Sequence, residues 1–247
     1  MSRLLRAELI KLRTTRTFYA LAGVAIGISL LLTILVASIT EPSQEDVLND
    51  VFQSDVSSLF IMILAIVGIT GEWRHRTITS SLLAAPDRTR FLAAKTIAFG
   101  AAGALLSLAI SISVAIVGFA ILEARGLPTP ELGELFEQFA RNAGVAALLG
   151  AFGVGVGSLV RNQPIAIVGI LIVGFVIDPL LGEFVSGVER FSPTGALASA
   201  VQGLDPDDVG LSKVDFLSPG LAVACMLAWI GALFAAGAAL LRSRDVE

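Results

Sequence analysis

The chain has 247 residues, 55% of them hydrophobic and only 15% charged, with a mean hydropathy of +0.84 and a formal net charge of −4. A soluble domain of this length would carry more charge, and the apolar residues run on without the alternation that membrane β-barrel strands show. The class read from this is an all-α polytopic membrane protein.

The first element is the stretch 2–16, SRLLRAELIKLRTTR. Leu5, Leu9 and Leu12 follow i, i+4, i+7 spacing and share one helical face. Arg3, Arg6 and Arg13 cluster away from that face. This pattern describes an amphipathic helix lying in the membrane interface, its cations drawn to anionic lipid headgroups. The polar region is too long for a signal peptide, and no small-residue cleavage site follows it.

Six apolar stretches follow, at about 18–40, 56–72, 96–122, 143–160, 165–181 and 217–241, and they make one transmembrane domain of residues 1–247. The second and fifth are short for a hydrocarbon core that needs about 20 helical residues. Charge sets the orientation. With both termini cytoplasmic, the inner segments hold 13 of the 17 basic residues and 5 of the 21 acidic ones. The positive-inside rule therefore places the termini and the segment 73–95 in the cytoplasm.

Small residues recur at four-residue spacing in Gly23–Gly27, Gly153–Gly157 and Gly231–Ala235, densest in GAFGVGVG at 150–157. Such pairs let helix backbones approach closely. The outer segments EPSQEDVLND (41–50) and DPDDVG (205–210) read as solvated acidic loops. The second fails as a calcium loop beyond its second carboxylate, because Val209 stands where a ligand is needed. Asp178, the one acid read inside a span, is expected at the outer end of the fifth, reaching interfacial water where Pro179 breaks the helix. Cys225 stands alone in an apolar run and reads as a packing side chain.

The chemistry that is missing narrows the function. No G-x-x-x-x-G-K-[ST] loop is present, and the longest cytoplasmic segment, 73–95, has 23 residues, far too few for an ATPase domain. The only histidine, His75, lies in that segment, and no carboxylates cluster inside a span. The chain is read as no enzyme, with no cofactor, metal or nucleic acid of its own. A separate subunit would hold ATP and magnesium.

The polar turnaround GEWRHRTITSSLLAAPDRTR, residues 71–90, is where a partner could act. Glu72 sits at the cytoplasmic end of the second span, where the negative end of the helix dipole opposes it. Arg74 or Arg76 is expected to offset that charge. TITSSLLAA can form one or two helical turns that present Leu82 and Leu83 beside Ser80. Pro86 ends them, and Asp87 caps a helix running from Arg88 into the third span.

These features resemble the permease subunits of type-2 ATP-binding-cassette exporters of bacteria. The resemblance rests on AELIKLRTTRTFY, with its Glu–x–x–Lys before the first span, and on Glu72, Arg74, Arg76, Thr77, Leu82, Leu83, Pro86 and a later Lys95. It extends to six helices with a long outer segment before the last. Arg76 stands where many such permeases have glycine. The resemblance implies that residues 77–86 form a coupling helix docking on an ATPase subunit, with Glu72, Arg74, Arg76, Thr77, Ser80, Leu82, Leu83, Pro86, Asp87 and Arg88 as the coupling residues. It implies a second permease chain, identical or not, and spans two and five facing a largely apolar path, with Phe60, Leu64, Ile170, Val173 and Ile177 as candidate lining. The function expected is outward movement of an amphipathic drug, peptide or lipid-like solute across the cell membrane, including self-protective extraction of membrane-active peptides. A different class stays open: a sensor or assembly subunit that docks a cytosolic partner through 73–90 without transport. An intramembrane enzyme is a further class, though no H-E-x-x-H and no clustered carboxylates occur inside a span.

Overall fold

The computed structural model describes residues 1–247 apart from 45, 76, 79–86, 161, 181–186, 208, 212–213 and 244–247. Its helices are α1 (Ser2–Thr14), α2 (Arg16–Ile39), α3 (Val47–Phe52), α4 (Ser57–Arg74), α5 (Arg88–Arg125), α6 (Leu132–Leu159), α7 (Gln163–Ile172), α8 (Ala196–Gln202) and α9 (Pro219–Ser243). No strand occurs among the described residues. Six helical stretches are long and apolar enough to cross a membrane: Arg16–Ile39, Val47–Arg74, Arg88–Arg125, Leu132–Leu159, Gln163–Leu180 and Pro219–Arg242. The protein is a polytopic, all-α membrane protein.

The bundle is built around α4, α5 and α6. The fourth span is 61% buried over its apolar window, against 17% for the fifth and 22% for the first and last, so the latter three form its flanks. Glycine makes the close approach possible. A Cβ on Gly153 would lie 2.6 Å from the Met62 carbonyl oxygen, and one on Gly150 2.6 Å from that of Phe99. The seam is thus GAFGVGVG of α6 laid against α4 and α5. The other small-residue pairs do not act this way within the chain, since nothing stands within 4 Å of a Cβ at Gly23, Gly27 or Gly231.

α1 packs beside the first turns of α5, and the Arg88 guanidinium donates to the Leu241 carbonyl at the end of α9. The two ends of the described chain and the start of α5 therefore share one face, called the terminal face below. At the opposite face the Arg125 guanidinium donates to the carbonyls of Ala37 (2.6 Å) and Thr40 (2.7 Å), closing the end of α2 onto the end of α5.

Two spans differ from the sequence reading. The second, expected at about 56–72, is α4, but the span extends outward through a break at 53–56 into α3. Val47, Val51 and Phe52 of α3 are buried against Val114 and Leu122 of α5, which takes half of the expected outer loop into the bundle. An alternation of acid and apolar residues over 41–52 disguised this. The fifth span is not broken at Pro179. A π-helical turn, Val173–Ile177, precedes it, with the Asp178 N–H bonded to the Val173 carbonyl, and the helix runs on to Leu180. Proline lacks the N–H and crowds the carbonyl four residues back, and the wider turn relieves that crowding.

Asp178 does not reach interfacial water. It is 6% exposed and accepts hydrogen bonds from the hydroxyls of Ser192 and Thr194, the latter at 2.6 Å. The chain folding back after the fifth span covers it.

Candidate functional site

On the terminal face, four charged side chains meet. Lys95 of α5 is 2% exposed, and its Nζ lies 2.8 Å from Glu8 Oε2 and 2.9 Å from Glu72 Oε1. Lys11 Nζ lies 2.9 Å from Glu8 Oε1 and 2.9 Å from Glu72 Oε1. Two carboxylates and two ammonium groups make a neutral square that joins α1, the end of α4 and the start of α5. The third Lys95 donor reaches the Gly68 carbonyl at 3.3 Å, and the Phe91 ring lies 5.3 Å from the charge. A buried cation needs such a set of partners, because desolvation costs several kcal/mol per ion.

The local sequence explains the placement. Glu8 and Lys11 are three apart and share a helix face. Lys95 lies in FLAAKTIAF, where its neighbours bury it. Glu72 is two residues from the end of α4, where the dipole disfavours an anion, and two lysines offset this. Of the two arginines expected to offset Glu72, Arg76 lies outside the described residues. Residues two apart on a helix do not face each other, and Arg74 instead reaches Gln163 Oε1 at 3.4 Å. Lys11 is half exposed. Partial burial pulls its ammonium pKa down, but the hydrogen bonds and charges of Glu8 and Glu72 outweigh this and hold it above the usual lysine value.

The start of the turnaround is anchored to the same place. The Thr77 N–H donates to the Glu72 carbonyl at 2.9 Å, and Ile78, 4% exposed, packs with Phe91, Trp73 and Leu4. Asp87 caps α5, accepting from the backbone N–H groups of Thr89 (3.1 Å) and Arg90 (3.2 Å). Those bonds and the Thr89 hydroxyl hold its carboxyl below the usual value. Arg88 ties this corner to α9. Arg76, Ser80, Leu82, Leu83 and Pro86 lie outside the described residues. A search of protein-family models and one of curated proteins find no match to the chain.

The sequence reading named Glu8, Lys11 and Lys95 only as parts of a resemblance, and it missed Ile78. The available signal was a lone lysine in an apolar helix with a Glu–x–x–Lys pair elsewhere, since an intramembrane or interfacial cation requires an anion.

Toward the opposite face, a cleft of about 170 Å³ opens between α4, α6, α7 and α8. Leu59, Met62, Leu149, Ile170 and Phe175 form its apolar walls, and Ser58, Thr194, Ser199 and Gln202 its polar lip. Of the residues expected on a path, Ile170 lines this cleft. Val173 packs against the apolar cluster that holds Met62, Leu149 and Ile170, and Ile177 is exposed. Phe60 points to the α2–α5 side, and Leu64 is 4% exposed in the core with Phe99. On α4 it is Ser58, Leu59 and Met62 that face the cleft.

Proposed function

We propose that the chain is the membrane-spanning permease subunit of a bacterial ATP-binding-cassette exporter, moving an amphipathic solute outward across the cell membrane. The observation that carries this is the charge square. It binds α1, α4 and α5 into one unit at the base of the turnaround 73–90, and the chain carries no nucleotide-binding motif with which to power itself. A force applied to residues 77–86 by an ATPase subunit would pass through Ile78 and the Glu72–Lys95 pair into spans two and three together. The basic terminal face is then cytoplasmic. Two permease chains and two ATPase chains make the working unit in this reading. The cleft beside α4 and α7 holds part of the solute, its uncharged lining suiting an amphipath better than an ion.

The test is purification of the full chain from its native membrane in mild detergent. A stoichiometric ATP-hydrolysing subunit, whose turnover rises when the chain is present, is expected. A chain that purifies without any such subunit, and whose vesicles export nothing when one is supplied, overturns the reading.

A further inference from the structure

A groove of about 310 Å³ opens between α1, α2 and α5. Leu9 and Leu12 of α1, Phe18 and Ala22 of α2, and Ala102 and Leu106 of α5 form its walls. It starts at Arg13, beside the start of the first span, and reaches Ala109, near the middle of the third. From Ala102 to Ala109 it follows about 10 Å of helix. Tyr19 and Leu105 stand on its rim and are more than half exposed, so the groove is open on the side that α2 and α5 present to the hydrocarbon.

Its walls are held together without an occupant. Thr15 is extended and turns α1 into α2, and the Tyr19 hydroxyl donates to the Arg13 carbonyl at 2.8 Å across that bend. Glu8 and Lys95, 2.8 Å apart, fasten α1 to α5. Among the lining side chains only Arg13 and Tyr19 are polar, and the Tyr19 hydroxyl is already spent on backbone. The Arg13 guanidinium is exposed and has neither an ion pair nor a hydrogen bond among the described residues. The acids of this corner, Glu8 and Glu72, are taken up by Lys11 and Lys95. Arg6 and Arg16, on either side of Arg13 in sequence, are exposed and likewise without an ion pair among the described residues.

We propose that this groove holds one acyl chain of a resident anionic phospholipid, with the lipid phosphate bound by Arg13. An apolar trough with a single free cation at its shallow end matches an amphipath with an apolar tail and an anionic head. The planar guanidinium fork suits a phosphate geometrically as well as by charge. The unpaired arginines on both sides add attraction for a headgroup of net negative charge over a zwitterionic one. A preformed trough binds the tail at a smaller ordering cost than a flat helix surface would. The sequence pattern of α1 implied contact with the lipid surface at large, whereas the groove makes a discrete site for one molecule. This role does not rest on the permease reading.

The experiment is native mass spectrometry of the purified full chain, equilibrated in detergent with equal amounts of phosphatidylglycerol and phosphatidylcholine of the same acyl chains. Retention of phosphatidylglycerol over phosphatidylcholine, saturating at one molecule per chain, is expected. Arg13→Gln should lower that preference about fivefold, the contribution of one basic residue near an anionic surface. Ala109→Phe, which puts a ring where the tail lies, should lower retention of both lipids. Should Ala109→Phe fail to fold, Ala22→Leu fills the same groove. Arg3→Gln, outside the groove, should behave as wild type. Equal retention of the two lipids by the wild-type chain, or a preference unchanged in Arg13→Gln, overturns the proposal. A loss in Arg3→Gln equal to that in Arg13→Gln overturns it in favour of general attraction to an anionic surface. A dimer that Ala109→Phe dissociates while lipid retention persists overturns it in favour of a second copy of the chain.

Discussion

Lys95 and Glu72 stand 2.9 Å apart, one near the start of the third span and the other at the end of the second. Their bond closes the two ends of the turnaround 73–90 onto each other. Glu8 and Lys11 of α1 then lock the closure from the side. The turn is therefore held at its base by buried charge. A loop that only reversed the chain would have no need of three elements meeting in a desolvated square.

The cap of α5 should be sensitive to acid. The folded carboxyl of Asp87 lies below its ordinary value, so the stability it contributes is present above that ordinary value and is lost as pH falls through the depressed one. Amide hydrogen exchange over residues 88–92 should be slow at pH 7 and speed up only in strong acid. Asp87→Ala should show the fast exchange at pH 7 already. Slow exchange in that variant would mean the cap does not hold the helix start.

The glycine seam should discriminate between positions of equal sequence character. Gly153→Ala places its methyl against the Met62 carbonyl, backbone that cannot swing aside, and should cost about 1–3 kcal/mol in unfolding free energy. Gly23→Ala meets nothing within 4 Å and should be neutral or slightly stabilising. Unfolding midpoints in detergent for the two variants give the comparison.

Much of this fold was legible because helical hydrophobicity is a strong signal. The six spans, the amphipathic α1 and the Asp87 cap follow from periodicity, length and side-chain chemistry. The break at 53–56 was not legible. Gln53, Ser54 and Asp55 read as a continuation of the acidic outer segment, and only the packing of Val47, Val51 and Phe52 on α5 reveals a buried helix before them. Asp178 misled for the same reason, since the hydroxyls that satisfy it come from Ser192 and Thr194, far enough along to be invisible as partners. The charge square was half legible. Glu72 stood out by itself and the other three entered only through the resemblance, and pairing residues 8, 72 and 95 requires knowing that three helices converge.

Topology gives a direct check on the proposed orientation. In a Cys225→Ala background, cysteines placed at Ser80 and Asp207 should react with a membrane-impermeant thiol reagent from opposite sides of intact cells. Asp207 should label from outside and Ser80 only after permeabilisation. Labelling of both from outside would remove the cytoplasmic turn, and with it any docking of an ATPase there.

The charge square offers the sharpest test, because stability and coupling can be separated. Lys95→Met leaves Glu8 and Glu72 facing one half-exposed lysine, Lys11. Removing one member of a buried ion pair costs about 3–5 kcal/mol, since the other charge stays desolvated without compensation. That variant should lose stability, so lost transport alone would say little. Lys95→Met combined with Glu72→Leu takes out one positive and one negative charge and leaves Glu8 with Lys11. Replacing a buried pair by apolar side chains is often neutral or stabilising, so the double variant should recover a wild-type unfolding midpoint. It should still bind the ATPase subunit, because the tip of the turn is untouched. The charged link between the second and third spans is gone, however, so ATP turnover should no longer rise with transported solute. Wild-type stimulation in a stable double variant would show that the square only holds the fold together, and that the force, if any, travels by another route.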